Sequence, residues 1–480
     1  MTDYATGFDD FYQTFLRLEQ DLDLFQLKIG GYRVWERERD NVGYKLLGDL
    51  GYTGPFEKYQ MTARDHVRAG YLLLRNLAMR NPFLADSPEL LFLGHPRRKR
   101  VDSSWWDVYC DPIHDTDEFD YLHLEAPWRV GHKRPARTKN IRYTDLIVLL
   151  GGLIRELGID VYEFTRDERE TIERIESGFE SAFSIDVDLQ TRFHDSINRH
   201  IVRKKLYDRL LNVIDPKLAV VVAHSRDETF IDSCHDAGVP VAELQHGQIG
   251  PYSFEYSFPG DRTKYGFPDY LLTFGDVWRT TAAYPIDDSR VIPVGYPFLE
   301  RKAEHYSRAQ RTDSVLFIST PESGSELSKI AAELSKRSDV SRDIIYKLHP
   351  SEYDDWQTAY PWLRDTPVSV VDENDRTLYE LMATSSVQVG VGSTALYEGI
   401  AFDLATYLVR LPTIEWSAPL IENGEATLVE SADELASHLA GDVARPDASQ
   451  EYFKPNALEN VSEVLHRLRE NATLARDTRS

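Results

Sequence analysis

Three polar segments of the chain each come directly after a short apolar run, at 347–350 (KLHP), 390–394 (GVGST) and 320–324 (TPESG). Lysine, histidine and hydroxyl side chains bind phosphate oxygens, and glycine lets a ligand approach the backbone closely. Ligands of open parallel sheets bind beyond the carboxyl ends of the strands, where helix N-termini offer N–H groups. The sequence therefore predicts a phosphate site. Its predicted ligands are Lys347, His349, Gly392, Ser393 and Thr394, with Thr320, Glu322 and Ser323 as possible additional contacts.

A fourth polar segment contains the candidate for acid–base chemistry. His246 and Gly247 follow the apolar run 239–245 (VPVAELQ). An imidazole, with a reference pKa of about 6.5, is suited to remove a proton from a hydroxyl group. We therefore predict that His246 is a general base, with Gln245, Gly247 and Glu255 on the side of the hydroxyl-bearing substrate. The alternative is that Gln245 and His246 are only the polar end of a strand.

Three carboxylates near this segment have different expected roles. Glu243 lies within the predicted strand, so we expect it to be a hydrogen-bond partner rather than a second base. If His246 is not the base, Glu255 and Asp269 are the next candidates.

No Asp-x-Asp or paired-carboxylate motif follows a predicted strand, so the sequence predicts no metal requirement.

The phosphate-site residues also have local explanations when each is taken alone. Ser393 fits an ordinary helix N-cap, and His349 fits a hydrogen-bonded histidine at a strand end. The sequence contains neither a P-loop motif nor a dinucleotide fingerprint after a strand. What favours a ligand site is that three neighbouring strand ends carry groups suited to phosphate.

The apolar runs that position these segments predict an α/β fold. In the second half, strands at 314–319, 343–347, 368–371, 386–389 and 405–409 alternate with helices near 324–337, 375–384 and 393–401, and a closing helix is expected at 457–469. In the first half, strands are predicted at 90–93, 218–223, 239–245, 269–275 and 290–297, and helices at 11–24, 63–79, 145–157, 165–212 and 227–237. The predicted domains are a helical cap (1–80), a first Rossmann-like domain with a helical insertion (81–305) and a second Rossmann-like domain (306–480), with a linker at 302–312.

Composition limits the classes of partner. The formal net charge is -24, and Asp plus Glu number 79 against 55 Lys plus Arg, so the long-range field repels nucleic acid and anionic lipid. Only 15 of the basic residues are lysine. This acidic, lysine-poor composition is typical of a halophile-like surface that stays soluble in concentrated salt.

Cysteine use and hydropathy indicate the compartment. Cys110 and Cys234 are far apart and show no metal-ligand spacing, which predicts a reducing cytosol and no zinc site. The segment 1–10 has no apolar signal region, and the longest apolar run, 146–154, is shorter than the ~18 residues a membrane span needs. We expect a cytoplasmic protein, with peripheral association at the inner face of the membrane left open.

A resemblance to a known family rests on four motifs, which occur in this order: His246-Gly247, Gly295-Tyr296-Pro297, Lys347-Leu348-His349-Pro350 and Gly392-Ser393-Thr394. Over about residues 218–410 the chain resembles GT-B-type polymer transferases, which include CDP-glycerol glycerophosphotransferases, bacterial polysialyltransferases and capsule Kdo transferases. The resemblance implies a GT-B-like fold, His246 as catalytic base, and Lys347, His349, Ser393 and Thr394 as ligands of the donor phosphate. The chain departs from the glycerophosphotransferases after the His-Gly pair, where Gln248-Ile249-Gly250-Pro251 replaces a Pro and a Lys.

The resemblance also implies a reaction. The expected enzyme is an inverting, metal-independent glycosyltransferase without a cofactor, which moves a sugar or polyol from a CMP- or CDP-type nucleotide donor to a glycan or lipid-linked acceptor in surface-polysaccharide or glycan synthesis. Two alternatives remain open. One is a nucleotide-sugar 2-epimerase, which would need acid and base carboxylates in the cleft, and the other is a non-catalytic binding protein with the same fold.

Overall fold

Two parallel β-sheets form the framework of the chain. The computed structural model describes residues 3–53, 62–96, 98–129, 131–156, 161–372, 376–441, 443 and 449–477. The first sheet has seven strands in the order β5-β4-β1-β6-β7-β8-β9, and the second has six in the order β12-β11-β10-β13-β14-β15. The strands are β1 (Leu90–Leu93), β2 (Lys99–Val101), β3 (Ser104–Trp106), β4 (Tyr121–Glu125), β5 (Ile141–Tyr143), β6 (Leu218–Val222), β7 (Val241–Leu244), β8 (Tyr270–Thr273), β9 (Val291–Pro293), β10 (Ser314–Ile318), β11 (Asp343–Lys347), β12 (Ser369–Val371), β13 (Val387–Gly390), β14 (Ala405–Val409) and β15 (Ala426–Val429).

Helices cover both sheets and form the N-terminal region. They are α1 (Asp3–Asp21), α2 (Val34–Asp49), α3 (Ala63–Met79), α4 (Asp111–His114), α5 (Asp145–Glu156), α6 (Arg166–Phe183), α7 (Leu189–Ile214), α8 (Glu228–Asp236), α9 (Pro297–His305), α10 (Gly324–Ser335), α11 (Trp356–Ala359), α12 (Leu378–Thr384), α13 (Thr394–Ile400), α14 (Ala418–Glu422), α15 (Ala432–Leu439), α16 (Ser449–Tyr452) and α17 (Ala457–Asp477). Within the described ranges, no helix has both the length and the apolar character needed to cross a membrane.

The predicted fold class is confirmed, because both sheets are parallel and carry crossover helices. Strands such as β6 and β10 are buried along their whole length, since helices cover a parallel sheet on both faces. Prediction missed β4, β5, β15 and the antiparallel β2–β3 hairpin. β5 and the two hairpin strands have only three residues each, and their polar or aromatic sequences lack a continuous apolar run.

Several predicted boundaries need correction. The helix expected at 165–212 is two helices, because Ser184 adopts a left-handed conformation that ends α6 and Asp188 caps α7. The linker expected at 302–312 begins as the last turns of α9. Residues 157 and 375, at the ends of two predicted helices, lie outside the described residues. The closing helix α17 packs on the first sheet rather than the second, with Val461 and Leu465 in one cluster with the strand residues of β1 and β6.

The helical cap holds the loop that follows β7. Phe15 in α1 packs edge-on against Phe254, with ring centroids 5.0 Å apart. Arg39 in α2 is buried in an ion pair with Glu19, with 2.6 Å between Nε and Oε1, and it donates hydrogen bonds to the backbone carbonyls of Phe254 and Ser257. Removing one partner of such a buried pair typically costs about 3–5 kcal/mol. The cap therefore fixes the backbone of the loop that carries His246.

Candidate active site

The carboxyl ends of β1 and β7 bring two imidazoles together. His246 follows β7, and His95 follows β1 in the sequence Gly94-His95-Pro96. The two rings are stacked, with centroids 6.1 Å apart and planes 18° apart. Tyr109 donates a hydrogen bond of 2.8 Å to the backbone carbonyl of His246. Sequence reasoning missed His95, although the signal was the one that identified His246, a histidine directly after a buried strand.

A hydrogen-bonded chain fixes the protonation pattern of His246. The Tyr256 hydroxyl lies 2.6 Å from Glu243 Oε1 and 3.3 Å from His246 Nδ1. A phenol has one proton, and the carboxylate takes it, so the hydroxyl oxygen accepts from Nδ1–H of His246. With the proton on Nδ1, the lone pair of the neutral ring is on Nε2. This is the arrangement that a general base requires.

Glu243 is the charged end of that chain. It is fully buried, and its second oxygen lies 2.7 Å from His224 Nδ1. Burial opposes ionisation, but the contacts with His224, Tyr256 and His246 outweigh it and lower the pKa of Glu243. Glu243 is thus a hydrogen-bond partner that orients other groups, consistent with the role expected for it.

Burial also lowers the pKa of His246, and the nearby carboxylates of Glu243 and Glu255 offset only part of that effect. The neutral, proton-accepting form of His246 therefore persists to more acidic pH than in a free imidazole. Asp269 is not placed to substitute for it. Asp269 precedes β8 at the amino-terminal edge of the sheet, where it accepts a 2.8 Å hydrogen bond from the Val241 N–H. This removes Asp269 from the set of candidate bases.

The His246 loop contacts the second domain at the predicted phosphate segment. The Gln248 N–H donates a hydrogen bond of 3.0 Å to Thr394 Oγ1. A Cβ on Gly247 would lie 3.2 Å from the same oxygen, so a larger residue would require the Thr394 side chain to shift by a few tenths of an ångström. The loop that carries the base candidate is therefore in direct contact with the 390–394 segment.

Two residues of the 390–394 segment have structural roles of their own. Ser393 is the N-cap of α13 and accepts a 3.3 Å hydrogen bond from the Ala395 N–H. A Cβ on Gly392 would lie 2.7 Å from the carbonyl oxygen of Thr413, so packing against Thr413 already requires glycine there. The capping interpretation of Ser393 is therefore correct, and a role in ligand binding stays a prediction for both residues.

Lys347 and His349 lie at the carboxyl end of β11. Lys347 is buried, and its Nζ donates to the Tyr353 hydroxyl and, over 3.4 Å, to the Val371 carbonyl. Burial lowers the pKa of Lys347 to about 8, against the opposing effect of Asp372. His349 Nδ1 accepts a 3.3 Å hydrogen bond from the Ser351 N–H, which leaves the proton of the neutral ring on Nε2.

A buried carboxylate that sequence reasoning missed connects two of the strand ends. Glu352 accepts hydrogen bonds from Ser319 Oγ (3.1 Å), which follows β10, and from the His349 N–H (2.6 Å), which follows β11. The Tyr360 hydroxyl also donates to it. No motif in the sequence marks Glu352, because its partners come from separate segments.

The remaining predicted residues differ in exposure. The hydroxyls of Thr320 and Ser323 are buried and lie 2.9 Å apart, whereas Glu322 is exposed. Gln245 is almost completely buried, accepting from the Phe274 N–H (2.7 Å) and donating to the Gly247 carbonyl (2.8 Å). Its amide therefore shapes the turn that presents His246.

Cys110 is close to two histidines, which the spacing of the two cysteines along the chain does not indicate. In the described part of the chain, ligand atoms of Cys110, His114 and His123 lie within 4.8 Å of one another. His114 Nε2 is 3.1 Å from His123 Nδ1, and Arg98 Nη2 is 3.3 Å from His123 Nε2. A buried guanidinium beside the cluster disfavours a bound cation. The absence of a functional metal stays a prediction.

A cavity of about 180 Å³ lies next to the His246 loop. We call it the interdomain cavity because three parts of the chain line it. They are Tyr44 of α2, the segment 248–255, and Glu415 with Trp416 of the second domain. Glu255 also lines it and accepts a 2.7 Å hydrogen bond from the Tyr44 hydroxyl. Its place on the acceptor side stays a prediction.

No protein-family model matches the chain, and no curated protein matches it in sequence. Among solved structures, it is similar to a UDP-GlcNAc 2-epimerase from Methanocaldococcus jannaschii (TM-score 0.46, 9% identity, 79% of this chain and 99% of that one). It is similar to MurG from Acinetobacter baumannii (TM-score 0.45, 10% identity, 79% and 98%). It is also similar to the wall teichoic acid polymerase TagF (TM-score 0.43, 10% identity, 86% and 99%).

Proposed function

We propose that this protein is a glycosyltransferase that moves a sugar or polyol from a nucleotide-activated donor to an acceptor hydroxyl. The observation that carries the proposal is the contact between Gln248 and Thr394. It supports the proposal because it joins the loop that carries His246, after the first sheet, to Thr394, one of the predicted phosphate ligands after the second sheet. Transfer from a nucleotide donor needs both a base that deprotonates the acceptor and a binding site for the departing phosphate.

In the proposed reaction with a sugar donor, Nε2 of His246 takes the proton of the acceptor hydroxyl as that oxygen attacks the anomeric carbon of the donor. The bond from that carbon to the phosphate oxygen breaks, and the electron pair leaves with the nucleotide. The attack comes from the face opposite the phosphate, so the configuration inverts. Lys347, His349 and the 392–394 segment stabilise the negative charge on the departing phosphate.

The finer assignments follow the family resemblance. We propose a CMP- or CDP-type donor, a glycan or lipid-linked acceptor in surface-polysaccharide or glycan synthesis, no cofactor and no metal requirement. The protein would act in the cytoplasm, with peripheral association at the membrane compatible with a lipid-linked acceptor. The proposed division into a cap (1–80), an acceptor domain (81–305) and a donor domain (306–480) follows the two sheets, except that α17 packs on the first.

A second candidate function is the 2-epimerase reaction, because Glu255 and Glu415 both line the interdomain cavity. An epimerase needs acid and base groups that act on the sugar ring itself. Product analysis separates the two reactions. A transferase yields free nucleotide and a glycosylated acceptor, whereas an epimerase yields an isomerised sugar and no glycosylated acceptor.

The experiment has a binding stage and a turnover stage. Thermal unfolding with CMP, CDP and UDP identifies the nucleotide, since a ligand at 100 times its Kd stabilises the protein by about 2.7 kcal/mol. Release of that nucleotide from its sugar and polyol derivatives is then followed by mass spectrometry. His246→Ala should lower kcat by about 10²- to 10⁴-fold and leave the nucleotide Kd, measured by calorimetry, almost unchanged. Binding without turnover would support the non-catalytic alternative, and the absence of any nucleotide binding would refute the proposal.

A further inference from the structure

The interdomain cavity is attached to the same loop as the candidate base. Gln248 and Glu255 line it, and Tyr256, which orients His246, is the next residue in the chain. The Glu255 carbonyl is 3.0 Å from His224 Nε2, and the Tyr44 hydroxyl contacts its carboxylate. The wall of the cavity is therefore fixed to the hydrogen-bonded chain of the base.

The size of the cavity fits a single ring. Its volume is about 180 Å³, whereas pockets for drug-sized ligands start at about 300 Å³. An acceptor oligomer would therefore enter with one terminal unit only. That unit carries the hydroxyl that a base next to the cavity would deprotonate.

The side chains that line the cavity are aromatic, acidic or neutral. Tyr252 and Trp416 offer flat apolar faces, and Glu255 and Glu415 offer carboxylate oxygens that accept hydrogen bonds. The amide oxygen of Gln248, which also lines the cavity, is buried without a hydrogen-bond partner in the described part of the chain. A ring with several hydroxyl donors and an apolar face satisfies these groups.

A ring that carries a negative charge would find no oppositely charged partner in the interdomain cavity. None of the described residues that line the cavity is lysine or arginine. A phosphate or carboxylate on the ligand would face Glu255 and Glu415 without a cation to pair with. Like charges placed together in a partly desolvated site are strongly unfavourable.

We infer, on the basis of the proposed transfer function, that the interdomain cavity binds the terminal sugar of the acceptor and selects a hydroxyl-bearing ring without negative charge. Tyr252 and Trp416 pack against the ring, and Glu255 and Glu415 accept hydrogen bonds from its hydroxyl groups. The acceptor is thereby distinguished from phosphate- or carboxylate-bearing polymers by the walls of its own site.

Saturation-transfer difference NMR on the full chain tests this inference. The probes are methyl glycosides of neutral hexoses and N-acetylhexosamines, compared with methyl glucuronide and hexose 6-phosphates at one fixed ionic strength. Uncharged probes should bind on the order of tenfold or more tightly than their anionic counterparts. Trp416→Ala should abolish the signal of the neutral probes, with Trp416→Phe as a more conservative second variant.

Removing one negative charge from the wall of the interdomain cavity tests the selection against anionic rings more directly. Glu415→Gln should reduce the discrimination against methyl glucuronide, whereas Glu333→Gln, an exposed site on α10, removes the same charge elsewhere and should leave it unchanged. Anionic probes that bind as well as neutral ones, or no binding by any neutral probe, would overturn the inference. Nucleotide binding is measured on the same samples. If it persists, only the acceptor inference has failed, and if it is absent, the proposed function has failed as well.

Discussion

Tyr256→Phe is the substitution that tests how His246 is oriented. It removes one oxygen atom and leaves the ring in place against its neighbours. His246 Nδ1 then loses its acceptor at 3.3 Å, and Glu243 loses a donor at 2.6 Å in a fully buried position. Phenylalanine offers no replacement for either contact, so both losses are complete.

The substitution should reduce both the stability of the protein and the rate of catalysis. A hydrogen bond to a charged group contributes about 1.5–3 kcal/mol to stability, so the free energy of unfolding should fall by about that amount. For catalysis, His246 would no longer be held with its proton on Nδ1. A loss of about 1.4–2.8 kcal/mol in transition-state stabilisation corresponds to a 10- to 100-fold lower kcat.

The pH profile distinguishes orientation from mere loss of stability. The hydroxyl oxygen stabilises the protonated imidazole, so its removal should lower the pKa of His246 and move the acid limb of kcat/KM to lower pH. Tyr452→Phe is the matched control, because it removes a buried tyrosine hydroxyl that contacts Asn423 (3.0 Å) and lies outside the His246 chain. The control should lose stability without moving the acid limb.

Nucleotide release at saturating donor and a range of acceptor concentrations, measured from pH 5 to 9, gives kcat and the kcat/KM of the acceptor, and calorimetry gives the nucleotide Kd. Tyr256 does not orient His246 if Tyr256→Phe lowers kcat no more than Tyr452→Phe does, or if the acid limb stays in place. A rise in the nucleotide Kd with unchanged kcat would also contradict it, since Tyr256 would then act on donor binding.

Three further predictions concern the donor side and the pH range. His349→Ala should weaken nucleotide binding by about 1.5–3 kcal/mol with little change in unfolding, and an unchanged calorimetric Kd would remove His349 from the site. EDTA should leave turnover largely intact, whereas strict dependence on Mg²⁺ or Mn²⁺ would show a carboxylate site that this scheme lacks. The rate of nucleotide release should rise with pH as His246 loses its proton, and this acid limb should lie below the usual 6.5 of imidazole because the pKa of His246 is lowered. The rate should fall again near pH 8 as Lys347 loses its charge. If Lys347→Arg does not move this basic limb to higher pH, Lys347 is excluded as its cause.

The strands and their order in the chain were largely readable from the sequence. Runs such as LAVVV at 218–222 and SVLFI at 314–318 are continuous and apolar because parallel strands are buried on both faces. The candidate residues Lys347 and His246 were found because ligand groups lie where such strands end. Elements without this local signal were missed, including the short strand β5 and the hairpin.

What the sequence determined by itself is the α/β class, the positions of the main strands and the polar residues at their ends. Burial of apolar side chains is a property of each segment, so a local pattern records it. The tertiary structure alone decided that Tyr256 links His246 to Glu243, that Gln248 contacts Thr394 of the second domain, and that Tyr44 and Glu415 line one cavity. Hydrogen bonds and cavities of this kind depend on the distance and direction between side chains far apart in the chain, and only the packing of the cap and the two sheets sets those.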